Sequence, residues 1–448
     1  MTTPRVSDEE LTYDRREQRG WYWYDWADSA FSTTVLTVFL GPYLTAVATT
    51  AAGGADGFVS FLGLELRPKA YFTTMVTISV LLQIVIMPII GALADHTGRK
   101  RGLLGVLAYL GAFATIGFYF VSGDRYLLGG VLFLVANVAF GAARVVYDAF
   151  LPQIAAPDDR DAVSSRGWGF GYLGGGLLLA LNLALYLSGQ VDEGLAVRIS
   201  LSSAGLWWAL FTILPMLRLR DRRPDGGYPT AAQAIGGSLR QLGRTIAELR
   251  RFPRTLLFLA AYLVYNDGIQ TIISFSATYA EHELGLGKST QISAILMVQF
   301  VAFFGALALG WLAARLGTKR TVLASLVIWI AVVSSAYFLQ AGAAIQFYVL
   351  AFFIALVLGG TQALSRSLYS LVIPKGKEAE YFSLYQISDK GSAFLGSLVL
   401  TLALQLTDSY RLAILSLIVF FALGFVLLLA LNMPRAIREA GNEVPEHI

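Results

Sequence analysis

Long apolar runs alternate with short polar segments from Trp21 to Met433. Twelve of these runs are long enough to cross a bilayer as a helix, which takes about 20 predominantly apolar residues. The first opens WYWYDWADSAFSTTV and runs to about Val47, and the second and third cover roughly Ala70–Leu93 and Gly102–Val121. The fourth is about Tyr126–Phe150, the fifth begins GWGFGYLGGGLLLALNLAL, and the sixth is about Ile199–Leu217. The longest internal polar stretch, Arg218–Arg254, follows. Beyond it lie a seventh run at about Thr255–Tyr279, an eighth and ninth around Gly310–Arg320, and a tenth at about Phe347–Ile373. The eleventh and twelfth are about Ser383–Leu406 and Arg411–Met433. The pattern predicts an all-α integral membrane fold.

Two motifs recur at nearly one offset. The hairpin tip GALADHTGRKR (Gly91–Arg101) returns as GWLAARLGTKR, with Gly310 lying 219 positions after Gly91 and Ala314 standing in the place of Asp95. Arg144-x-x-Tyr147 with Pro152 returns 222 positions later as Arg366-x-x-Tyr369 with Pro374. Two related halves of six helices follow, and because both basic tips lie on one side, the repeats are parallel. The expected organisation is a tail (1–20), a six-helix bundle (21–217), a linker (218–254), a second bundle (255–433) and a tail (434–448). Part of the linker, near Leu239–Leu249, reads as amphipathic and suited to the inner membrane surface.

Composition supports this reading. The 448-residue chain is 56% hydrophobic and 14% charged, against about 25% charged for a soluble domain. Of the 34 lysines and arginines, only Arg67, Lys69, Arg125, Arg198, Lys288 and Arg411 fall in the loops opposite the tips. That asymmetry places both termini in the cytoplasm, with the inner membrane of a bacterium the expected location. The net charge of +4 sits in loops and is no nucleic-acid signal. The chain has no cysteine, and His96, His282 and His447 are in loops or tails. Neither a metal site nor a histidine proton relay is expected, and no cofactor is called for. The polar first 20 residues argue against a cleavable signal peptide. No GxxxxGK[ST] loop is present, which excludes an ATP-driven pump, and no reactive constellation suggests an enzyme.

Twelve spans in two parallel halves with the tip GALADHTGRK resemble the major facilitator superfamily of secondary transporters. WYDWADSAF, YDAFLPQIA, GWGFGYLGGGLLLALNLAL and SLYQISDKGSAFLG are similar to the "unknown major facilitator" family, which includes the fungal vacuolar amino-acid effluxers. These segments lie in spans one, four, five and eleven. The resemblance implies a major facilitator fold and export of amino acids or similar small metabolites. Asp389 departs from the small or hydroxyl residue expected before the lysine of that motif. Organic anions, peptides and lipids remain alternative substrates, and symport, proton antiport and uniport remain open.

Ionisable residues within spans cost about 2.5–3.5 kcal/mol each on insertion scales and are functional candidates. Here Asp25, Asp28, Asp267 and Asp389 oppose Arg144, Arg366 and Lys390. Asp267, near the middle of span seven, is the expected proton-coupling site. Arg144 and Arg366 each lie eight residues before a proline, about 12 Å from the cytoplasmic boundary at 1.5 Å per residue. They should face each other with anions between them, from Asp28, Asp267, Asp389 or a substrate carboxylate, while Asn266, Gln270 and Gln362 orient the rest. The tip should form a gate. Gly91 would let two helices approach closely, Gly98 would take a positive φ, and Asp95 would sit at the N-terminus of span eleven. Arg99 would pair with Asp148. The aromatic residues Trp21–Trp26, Trp207 and Trp208 read as an interfacial belt, and Gly174–Gly176 as a helix-packing face. The expected partners are a small-molecule substrate, the lipid bilayer and, as a candidate coupling ion, protons; a monomer is expected.

Overall fold

The computed structural model describes residues 13–222, 243–245, 247–391 and 394–448. Among the described residues, twelve helices are long and apolar enough to cross a membrane. They are α1 Arg15–Ala51, α2 Pro68–Thr97, α3 Lys100–Phe120, α4 Tyr126–Ile154, α5 Pro157–Ser188 and α6 Glu193–Arg218. The second set is α7 Pro253–His282, α8 Lys288–Leu316, α9 Thr318–Ala336, α10 Ala344–Leu371, α11 Glu378–Thr407 and α12 Tyr410–Ala430. A short α13, Met433–Glu439, follows. The loop between α1 and α2, which the sequence pattern leaves as coil, carries an antiparallel pair, β1 Val59–Phe61 and β2 Leu64–Leu66. Residues 1–12 of the expected N-terminal tail, and residues 239–242 and 246 of the amphipathic stretch near Leu239–Leu249, lie outside the described residues.

Local sequence accounts for several helix ends. Pro68 and Pro253 open α2 and α7, where a missing N–H is no loss. Gly98 closes α2 in the left-handed region at φ 64. Within α1, residues Phe31–Phe39 wind as a π-helix. The hydroxyls of Thr33 and Thr37 donate there to the carbonyls of Ser29 (2.9 Å) and Ser32 (2.8 Å), giving otherwise weakened backbone acceptors a partner.

Helices α1–α6 form one bundle and α7–α12 the other. Between them α2 packs on α11 and α5 on α8, while α4 packs on α11 and α10 on α5. Each contact becomes its partner on a shift of six helices, so the interface carries the duplication read in the motifs. The C-terminal segment crosses this interface on the side where both tails lie. Asn442 Nδ2 donates to the carbonyl of Leu371, the last residue of α10 (2.8 Å), and to that of Ile373 just beyond it (2.7 Å), and the Glu446 N–H donates to Asp158 at the start of α5 (2.7 Å).

The aromatic cluster is not an interfacial belt. Trp21, Tyr24 and Trp208 are fully buried. Trp21 stacks on Tyr147 of α4 at 4.5 Å between ring centroids, and Trp26 stacks on Trp207 of α6 at 5.7 Å. The rings knit α1 to α4, α5 and α6 because α1 runs through the bundle interior and not along its lipid face. Close packing against α5 makes this possible: a Cβ on Gly174 would lie 2.7 Å from the Trp26 ring.

Candidate functional site

At the ends of α2 and α11 nearest the tails, the two bundles touch backbone to backbone. A Cβ on Gly91 would lie 2.5 Å from the carbonyl oxygen of Ala379. That approach brings Asp95 to the first turn of α11, where its Oδ2 accepts from the Glu380 N–H at 2.9 Å. The exposed N–H groups of a helix start favour such an anion. Lys100 then bridges Asp95 (2.9 Å) and Glu378 (3.0 Å). Lys100 is a cation that ties this contact across the bundles. In the second half Asp95 is replaced by Ala314, and the acid sits on the facing helix: Asp161 of α5 accepts from the Thr318 hydroxyl at the start of α9.

Asp148 does not pair with Arg99. It lies four residues after Arg144, one turn along the same helix face, and so points into the interior with it. The two arginines differ in what holds them. Arg144 is bound within its own bundle, by Asp25 at 2.7 Å and by both oxygens of Asp28 at 2.7 and 2.8 Å. Arg366 of α10 is bound across the interface. Its Nη1 meets Asp148 at 3.1 Å, its Nη2 meets Asp25 at 3.5 Å, and its Nε and Nη2 each donate to Ser164 of α5 at 3.0 Å. Its guanidinium also lies 4.6 Å from the Trp21 ring centroid, a favourable placement for a desolvated cation. Asp25 therefore bridges both arginines, and Tyr147 donates to its second oxygen at 2.5 Å.

A second polar cluster belongs to the C-terminal bundle, and its hub is Asp389. The carboxylate receives Asn266 (3.1 Å), Tyr262 (3.3 Å) and Gln270 (3.4 Å), and it faces Lys390 at 3.1 Å. Gln362 donates to Asn266 at 2.7 Å. Asp267 is absent from this group. It turns toward α11 and accepts from the backbone N–H of Gly396 at 2.6 Å, so the acid expected in the cavity is replaced there by Asp389.

Both clusters floor a cavity of about 610 Å³ between the bundles, within the size range of small-molecule sites. Arg144, Asp148, Arg366, Asp389 and Lys390 all reach its lining. Ile272, Val298, Leu350 and Ile354 make its upper walls apolar, and it extends to Tyr279, Ala336 and Phe347 near the face opposite the tails. At the tail side the α2–α11 contact and the Arg366 cluster close it. The site's helices share one spacing of three or four residues: Trp21, Asp25 and Asp28 on α1, Arg144 and Asp148 on α4, Tyr262, Asn266 and Gln270 on α7, Gln362 and Arg366 on α10, and on α11 Gln386 with Asp389 and with Lys390. That spacing lines each set on one helix face. It is the signal that locates Trp21, Tyr262, Gln386 and Asp148.

A family profile described as "Vacuole effluxer Atg22 like" matches residues 13–441. The chain belongs to the Atg22-like family. Among relatives, the uncharacterized MFS-type transporter YxiO of Bacillus subtilis (strain 168) is 32% identical over 92% of this chain and 94% of its own. Autophagy-related protein 22-1 of Penicillium rubens is 25% identical, covering 97% of this chain and 92% of its own. The proton:xylose symporter XylE has the same fold, with a TM-score of 0.68 at 12% identity over 92% of this chain and 93% of that one. A bacterial homologue of the iron transporter ferroportin in its outward-facing state gives 0.64 at 15% identity over 92% of this chain and 98% of that one. This Atg22-like protein is therefore a multi-pass major facilitator transporter of two parallel six-helix repeats, and not an enzyme. In it the family-like segment SLYQISDKG supplies three groups at the cavity floor, Gln386, Asp389 and Lys390.

Proposed function

We propose that this transporter exports amino acids or closely similar zwitterions across a bacterial plasma membrane, by alternating access with both termini cytoplasmic. The observation that carries the reading is the adjacent pair Asp389 and Lys390 at the cavity floor, separated by 3.1 Å. Among the described residues, Lys390 finds only Asp389 as an acceptor, and its remaining donors suit a carboxylate. Asp389, ringed by amide and hydroxyl donors, suits an ammonium group. The arginines are committed to protein carboxylates and do not compete for the substrate. The apolar walls above the floor accommodate an aliphatic or aromatic side chain. The effluxer name of the matched family supports the direction.

The test is counterflow in proteoliposomes loaded with unlabelled amino acids. Labelled amino acid should accumulate transiently in the wild type, and Lys390→Gln should weaken apparent affinity tenfold or more, which corresponds to about 1.4 kcal/mol. Absence of counterflow for every amino acid with a folded wild type refutes the substrate class. Unchanged affinity in Lys390→Gln refutes the assigned contact.

A further inference from the structure

Arg366 belongs to the C-terminal bundle, yet the polar groups that hold it, Asp25, Asp148 and Ser164, all belong to the N-terminal bundle. Asp148 is the mirror case. It is buried on α4 of the N-terminal bundle, and its two donors come from the other side: Arg366 Nη1 at 3.1 Å and Gln386 Nε2 of α11 at 2.6 Å. Parting the bundles at the tail side removes both. Asp25 keeps Arg144 and Tyr147, and Asp28 keeps Arg144. Of the three acids, Asp148 is the one that separation strands.

We propose that Asp148 is a proton-sensitive latch: ionised, it holds Arg366 and Gln386 and keeps the tail side shut, and protonated, it lets the bundles part. The charges around it favour this choice. Among the described residues, Asp25, Asp28 and Asp148 share only Arg144 and Arg366 as paired cations, which leaves one negative charge in surplus. Arg144, Asp25 and Asp28 lie within electrostatic reach of Asp148 on the N-terminal side. Tyr385 of α11 faces it from the other, and Lys390 on that helix is engaged by Asp389. Both donors bind the anionic carboxylate more strongly than the neutral acid. By linkage, a proton favours the parted state and parting favours the proton. Asp148 lines the cavity that reaches the opposite face, so a proton from that face meets it while the latch is shut. Once the bundles part, the tail side gains access to the same group. One carboxyl with alternating access is the requirement for coupling transport to a proton gradient. This inference rests on the alternating-access reading above.

Because the chain has no cysteine, Gly102→Cys on α3 and Lys375→Cys in the α10–α11 loop can be spin-labelled without other changes. Distances between them, measured in nanodiscs without substrate, report the tail-side gap. Acidification should raise the long-distance population of the wild type. Asp148→Asn should raise it at least tenfold at mildly alkaline pH and abolish the pH response, while Asp148→Glu restores the response. Gln386→Leu, which removes one donor but keeps the carboxylate, should move the midpoint to higher pH. The histidine variant His96→Gln/His447→Gln, which leaves Asp148 and its donors untouched, should leave the response in place. A wild-type pH response retained by Asp148→Asn, an unmoved midpoint in Gln386→Leu, or loss of the response in the histidine variant overturns the proposal. These readouts contain no amino acid. A failed counterflow assay leaves them standing, and a failed latch leaves counterflow standing.

Discussion

Gly91→Ala adds one methyl group where α2 crosses α11, and the consequence can be worked through. The new Cβ would meet the Ala379 carbonyl oxygen at 2.5 Å, its carbon at 2.9 Å and the Glu380 Cα at 3.1 Å. All three are backbone, so no side chain can swing aside, and reaching an ordinary contact of 3.4 Å needs the helices to separate by about 0.9 Å. The same movement stretches the 2.9 Å bond from the Glu380 N–H to Asp95 beyond hydrogen-bonding range. A hydrogen bond to a charged group contributes about 1.5–3 kcal/mol. The closed-to-open ratio at the tail side should therefore fall by roughly 10- to 150-fold. The substitution itself favours a helix by about 1 kcal/mol, so global unfolding does not compete as an explanation. The Gly102→Cys/Lys375→Cys label pair reads the outcome. A folded Gly91→Ala protein with the wild-type distance distribution would show that the crossing does not hold the tail side closed.

Three further substitutions follow from the same geometry. Gly98→Ala forces a side chain into the left-handed region at φ 64 and should cost about 1 kcal/mol, read as a lowered thermal midpoint with transport retained. Trp21→Leu removes the ring beneath Arg366. A desolvated cation–π contact contributes about 2 kcal/mol, so the open population should rise at least tenfold in the label experiment. Asp267→Asn keeps an acceptor for the Gly396 N–H and lies off the cavity, and its counterflow should keep the wild-type pH dependence. A flattened pH profile in that variant would return Asp267 to the coupling role that its depth in the sequence suggests.

The fold was legible because length and apolarity decide a membrane helix, and because Gly91, Asp95 and Gly98 sit in a hairpin short enough for its neighbours to be known. Helix rotation was harder to read. Asp267 sits deep in α7, but depth does not say which face it occupies, and its side chain turns to the α11 backbone. The place of Asp148 close to the end of α4 suggests a pairing with Arg99 at the tip, yet its four-residue spacing from Arg144 fixes its direction inward. The same spacing joins Trp21 to Asp25, which outweighs the interfacial preference of an isolated tryptophan. What no spacing contains is the asymmetry of the arginines. Arg144 and Arg366 match in motif and in distance from a proline, but the acids that hold both come from the first half alone. A repeated motif fixes the position of a residue, and the partner chosen depends on the sequence around it.

The π-helical stretch Phe31–Phe39 bears on how wide a range of cargo this cavity can accept. Ser32, Thr33, Leu36 and Thr37 on that stretch form part of the cavity wall. A π turn holds one residue more than an α turn, and it can travel along a helix by exchanging one backbone acceptor for the next without unfolding it. Each such step rotates the segment beyond it, toward Leu40–Ala51, and changes which of these four side chains meets the cargo. The hydroxyls of Ser32, Thr33 and Thr37, already bonded to nearby carbonyls, supply the substitute partners during the exchange. A wall of this kind adjusts in small discrete steps, which would suit the amino-acid export proposed above, where one polar head carries side chains of several sizes.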